Sequence, residues 1–190
     1  MGSWLARRVA PAEQPTAGVN RLAWREWGVI TLLLGVLSVA LVATYIPDQP
    51  TLSPFDEWVY VDYVDKATRL GVAQQGETID DEALELSSCR GVHVWGTFGS
   101  PCGGPYDPLL DPLGGVTSAD IHPPTYFVAT AAGAAVIRTV GLSDDLLTSS
   151  RAMGAVWLLL GLMLVVLAAV ELGAAPLRPV VPLARGDGTQ

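Results

Sequence analysis

Residues 27–46 read WGVITLLLGVLSVALVATYI, twenty positions without a charge. As an α-helix rising about 1.5 Å per residue the stretch is roughly 30 Å long, the thickness of a bilayer's hydrocarbon layer. A cleaved signal peptide would have an apolar run of only about 7–15 residues behind a short basic start, whereas 26 residues precede this one. The stretch therefore reads as a first membrane span rather than as a leader.

A second charge-free run, Ala152 to Val170 (AMGAVWLLLGLMLVVLAAV), lies between Arg151 and Glu171. A soluble core helix of that length would show a polar side, and this one has none. Between the two runs, residues 123–142 (PPTYFVATAAGAAVIRTVGL) are rich in Ala and Gly and carry Arg138 near the far end. Small residues let helices approach closely and an arginine at a helix end can snorkel, so this segment is expected as a bundle-packed span. The predicted fold is an all-α membrane protein of three transmembrane helices (27–46, 123–142 and 152–171), with a partly helical, disulfide-stapled outer loop between the first and second.

Half of the 190 residues are hydrophobic and the mean hydropathy is +0.38, but the net charge of −8 is concentrated in one place. Residues 1–46 hold Arg7, Arg8, Arg21 and Arg25 against Glu13 and Glu26. Residues 47–121 hold 13 acidic side chains against Lys66, Arg69 and Arg90, a net of −10. The positive-inside bias then predicts residues 1–26 as a cytoplasmic tail, 47–121 as an extracytoplasmic acidic loop and 143–151 as a cytoplasmic turn, in a multi-pass protein of the plasma membrane. Three spans leave the tail 172–190 outside, a placement that its own Arg178 and Arg185 oppose.

Two helices are expected in the loop. Ser53, Pro54 and Asp56 suggest an N-cap, a first helical residue and a capping acid, with Gly71 as the stop, giving a helix over about 54–70. Thr78 and Asp81 repeat the capping pattern, and Ile79, Ala83 and Leu86 recur at helical spacing up to Arg90 and Gly91. The next stretch, 91–124, has seven Gly and six Pro and is expected to be irregular. Cys89 and Cys102, the only cysteines, lie in the loop assigned to the oxidising side and suggest a structural disulfide, which closes a loop of this size at a gain of about 3 kcal/mol in the chain-entropy model. With His93 they match no zinc spacing, so no metal site is expected from them.

Candidate chemistry begins at Asp56 and Glu57. On a helix Asp56, Tyr60 and Tyr63 share a face, placing one carboxylate beside two phenols. Asp56 reads as a helix cap, as a general base toward an acceptor hydroxyl, or as a holder of a divalent cation beside a lipid phosphate. His122, before Pro123 and Pro124, would stand where an imidazole reaches a headgroup phosphate. No phosphate-loop, zincin or serine-hydrolase motif and no basic aromatic stripe is present, which leaves nucleotide and nucleic-acid binding without support.

The first span, the pair Asp56–Glu57 in DEWVYVDYVDK, the segment Cys89-Arg90-Gly91 and the HPPTYF that opens at His122 occur in an order that resembles the N-terminal part of GT-C-class glycosyltransferase-like polytopic proteins, including large ones of actinobacteria. The resemblance covers about residues 27–171. It implies a polyprenyl-phosphate sugar as donor, a divalent cation as cofactor, and catalysis by an acid in the first outer loop, here Asp56 with Glu57 beside it; His122, Tyr60 and Tyr63 are the residues expected to meet substrate. Members of that class have more spans than three, so the chain is expected to be incomplete and inactive alone, either as a truncated piece or as a short relative that takes further membrane helices from another chain. The alternative reading is a non-enzymatic membrane protein whose outer loop is structural or binds a partner.

Overall fold

The computed structural model describes residues 22–54 and 56–172, and the tails expected on either side fall largely outside them. Six α-helices carry the architecture: α1 (Trp24–Asp48), α2 (Glu57–Thr68), α3 (Asp81–Cys89), α4 (Pro124–Thr139), α5 (Leu146–Ala152) and α6 (Gly154–Glu171). Among the described residues there are no strands, only isolated bridges such as Leu52 with Val92 and Thr78 with Val116. The all-α expectation holds.

Two stretches, Trp24–Asp48 and Leu146–Glu171, are long and apolar enough to cross a membrane. They differ from soluble core helices in where their side chains go. Ser38 is the one buried residue of α1 and α6 has none, while Leu32, Leu33, Val36, Leu160, Leu164 and Val165 point outward. An aqueous surface would not tolerate that much contiguous apolar area. The two helices pack antiparallel. Thr31 Oγ1 lies 3.6 Å from Met163 Sδ, a methyl built on Gly35 would lie 3.9 Å from Leu159, and one on Gly154 would lie 3.9 Å from Val42.

The remaining elements fold into one domain on the end of this hairpin where α1 finishes and α6 begins. Its core joins α2 (Trp58, Val59, Tyr63, Val64), α3 (Ala83, Leu84, Leu86), α4 (Phe127, Ala131, Ala134) and α5 (Leu146, Leu147), with Leu52, Ile79 and Val92 from the connections. The three inward residues of α4 recur at i, i+4 and i+7, the periodicity of a helix packed on one side.

The expected span over 123–142 is not confirmed. The segment 123–142 forms a 16-residue helix whose inner face belongs to the domain core, and it is not among the stretches long and apolar enough to cross a membrane. The turn at 143–151 lies beside the end of α1. Arg151 binds Glu57 and the carbonyls of Gln49 and Thr51, so it stands at the same end of the hairpin as the C-terminus of α1. A side chain cannot bond groups on the far side of a hydrocarbon layer. Arg138 also lies on the domain side, close enough to Asp65 and Glu82 to stabilise their charge.

Inside the domain, polar contacts fix the helices to each other. Asp62 is fully buried and accepts hydrogen bonds from Lys66 Nζ (2.8 Å) and the Asp80 N–H (2.8 Å). Lys66 also donates to the Thr78 carbonyl at 2.7 Å. Burial pushes the Asp62 carboxyl above its ordinary pKa, against the pull of Lys66 and the Asp80 N–H. Cys89 and Cys102 are joined in a disulfide, as their position in the chain suggests. Helix α2 is shorter than expected, starting at Glu57. Helix α3 shows the expected pattern, with Ile79, Ala83 and Leu86 all buried.

Candidate functional site at the base of the outer domain

The acidic pair that opens α2 is split between two jobs. Glu57 turns inward, where its carboxylate receives Arg151 Nε and Nη2, both at 2.7 Å, and the Ser53 N–H at 2.6 Å. A bidentate guanidinium pair is among the strongest charge-assisted contacts a protein makes. Engaged in this way, Glu57 is a structural clamp and is not free to accept a proton from substrate. Asp56, one residue earlier, occupies the N-cap position of α2 without making a side-chain cap bond. It is exposed.

One turn on, the half-buried Tyr60 is the centre of the candidate site. Its hydroxyl lies 3.5 Å from Asp56 Oδ2 and 3.1 Å from His122 Nε2. Burial, with the Asp56 carboxylate adding to it, raises the Tyr60 phenol above its ordinary pKa, so Tyr60 stays protonated as a donor at neutral pH. With the proton of His122 on Nε2, the imidazole donates to Tyr60 and Tyr60 donates to Asp56, a chain of two hydrogen bonds from α4's entry to α2's start. The Tyr60 and His122 rings meet edge to face at 5.3 Å, and Phe127 packs against Tyr60 at 5.6 Å.

Tyr63 has a different place. It is buried and stacked on Phe127 with ring centroids 4.0 Å apart and planes 9° from parallel, so it supports the site from the core and does not reach its surface. The spacing argument placed it correctly on the helix face but could not see that this face turns into the core after Tyr60. Phe127 and Arg151 are the residues sequence reasoning missed. The helical spacing of Phe127, Ala131 and Ala134 was the signal available for the first; no local signal marks the second, because its partner lies 94 positions away.

A cleft of about 170 Å³ runs beneath Tyr60, lined by Val61, Val64, Tyr126, Leu147, Ser150 and Gly154 among others. The Ser150 hydroxyl there is buried without a hydrogen-bond partner. Among the described residues no three His, Cys, Asp or Glu side chains converge as metal ligands. With Glu57 bound to Arg151, the donor set at Asp56 does not fit a resident divalent cation.

No protein-family model, no curated protein and no solved structure matches this chain.

Proposed function

We propose that this chain is a two-span membrane protein whose outer domain presents Asp56, Tyr60 and His122 as a hydroxyl-activating site beside the lipid surface, corresponding to the N-terminal module of a GT-C-like, polyprenyl-phosphate-sugar-dependent glycosyltransferase. The observation that carries this reading is the unequal fate of the acidic pair: Glu57 is spent on Arg151, while Asp56 is left exposed with Tyr60 and His122 behind it.

In this reading both tails lie in the cytoplasm at the plasma membrane, because α1 and α6 run antiparallel. Arg178 and Arg185 then join Arg7, Arg8, Arg21 and Arg25 on the inner side, and the net −10 of residues 47–121 lies outside. The hairpin removes the conflict that three spans create for the C-terminal arginines.

The chemistry assigned to Asp56 is general-base catalysis. As an acceptor hydroxyl attacks the anomeric carbon, a C–O bond forms, the bond from that carbon to the polyprenyl phosphate breaks, and the hydroxyl proton passes to Asp56. Tyr60 and His122 hold the carboxylate and orient the acceptor. No step is routed through a metal. The donor pocket is supplied by further membrane helices.

The test is sugar transfer from a polyprenyl-phosphate sugar to a hydroxyl acceptor, in membranes holding the protein with its partners. Asp56→Asn should reduce the rate by about 10²–10⁴, the usual contribution of a positioned base. Transfer at the normal rate removes the assignment.

A second, non-enzymatic reading is favoured by a different feature. Asp81, Glu82, Glu85, Asp144 and Asp145 line a recess of about 470 Å³ with Arg90 on its edge, a surface suited to a basic partner. Retention of a partner after Asp56 and Glu57 are both neutralised would support it.

A further inference from the structure

Helix α4 has an outer face that the domain leaves uncovered. Thr125, Val128, Ala132, Ala135, Val136 and Thr139 are exposed and recur at helical spacing along one side, with no charge among them. The ends of the segment extend the same character: Ile121 and Leu142 are each 77% exposed and Val140 is 62% exposed. Arg138 is the one charged residue between His122 and Ser143. A helix whose outer face is uncharged is unexpected in an aqueous domain with a net charge of −10 in residues 47–121.

The position of α4 argues for what covers this face. The Tyr126 ring lies 5.1 Å from Trp157, the Trp157 indole N–H donates to Thr130 Oγ1 at 3.0 Å, and Gly133 lies against Met153. Helix α4 is thus fastened across the first turn of α6, where the apolar hairpin emerges. Tyr and Trp are the residues that settle at a membrane–water boundary. The acid-lined surfaces of α3 and the 144–145 turn are repelled by an anionic leaflet and poorly suited to lipid of any charge. The outer face of α4 meets neither objection.

We propose that the outer face of α4 rests in the headgroup and upper acyl region of the outer leaflet, so that the domain lies on the membrane along this helix. This inference rests on the reading of α1 and α6 as spans. It orients the Asp56–Tyr60–His122 group: His122, two residues before α4, is held at headgroup level.

The test uses the full chain in phosphatidylcholine nanodiscs. Its native cysteines are paired, so a single introduced thiol can carry an environment-sensitive fluorophore. Val128→Cys and Val136→Cys place it on α4, Val94→Cys on the exposed loop, and Leu164→Cys on the outward side of α6. The α4 labels should show blue-shifted emission, loss of fluorescence with lipids nitroxide-labelled near the headgroup, and protection from aqueous iodide; the Val94 label should show the reverse. Iodide quenching at Val128 and Val136 equal to that at Val94 overturns the proposal. Protection from both lipid and iodide also overturns it, by showing that protein covers the face. The Leu164 label, read with lipids nitroxide-labelled midway along the acyl chain, separates the two levels: lipid quenching there with none on α4 leaves the spans standing and removes only the seating, whereas no lipid quenching at Leu164 removes both.

Discussion

Arg151 and Glu57 form a two-point ion pair across 94 positions of sequence, with both N···O distances at 2.7 Å. The same guanidinium binds the carbonyls of Gln49 and Thr51, so one side chain joins the end of α1, the start of α2 and the entry to α6. Its own exposure is 9%. Glu57 is 21% exposed, so removing one partner of this partly buried pair costs less than the roughly 3–5 kcal/mol of a fully buried one.

Arg151→Met and Glu57→Gln should each destabilise the helical domain by about 2 kcal/mol, measured by thermal unfolding in detergent. The double variant should cost less than the two single changes together, because the second loses no partner. Strict additivity would show that the pair is not the link between these elements.

Gly91 is held by backbone rather than by a side chain. Its φ of +72° favours glycine, and a methyl group there would come within 2.8 Å of the Gly96 carbonyl carbon. The Leu52 N–H bonds the Gly91 carbonyl at 2.9 Å, so the turn also anchors the chain leaving α1. Gly91→Ala should lower stability by about 2 kcal/mol or more, combining strain with overpacking. A melting temperature within a degree or so of wild type, on a scale where 1 kcal/mol moves a domain of this size by several degrees, would contradict that geometry.

Asp145 caps α5. Burial alone would raise its carboxyl, but hydrogen bonds from the Thr148 hydroxyl and N–H, together with the Arg90 guanidinium 2.9 Å away, outweigh it and hold the pKa below the ordinary value. A depressed carboxyl contributes stability fully above its unfolded value of about 3.9 and loses that contribution as pH falls below it. The stability gap between wild type and Asp145→Asn should therefore be widest near neutral pH and shrink on acidification below about 4. A gap independent of pH would assign the role of Asp145 to its shape alone.

The apolar helices were legible because twenty uncharged residues in a row are long and apolar enough to cross a membrane. The disulfide was legible from the compartment, and α3 from the spacing of Ile79, Ala83 and Leu86. The segment of α4 was read as a span because Ala and Gly serve equally in a membrane bundle and in a tightly packed domain core. Its Phe127, Ala131 and Ala134 stripe pointed to the second. The i, i+4 relation of Asp56 and Tyr60 could be read locally, whereas Tyr60 and His122 meet across a separation of 62 positions. Arg151 was read as an anchor at the start of its helix because its carboxylate partner is distant in sequence. Arg178 and Arg185 carried the opposing signal.

The most direct measurement is the side of the membrane on which residue 144 lies, since two spans and three spans place it oppositely. Asp144 is exposed beside the α5 cap, and Asp144→Cys in intact cells can be challenged with a membrane-impermeant maleimide, with Val94→Cys as the external reference. Labelling of both from outside, before any permeabilisation, is the result expected of an antiparallel hairpin carrying its whole domain on one face. Labelling of Asp144→Cys only after the membrane is opened would contradict the two-span topology.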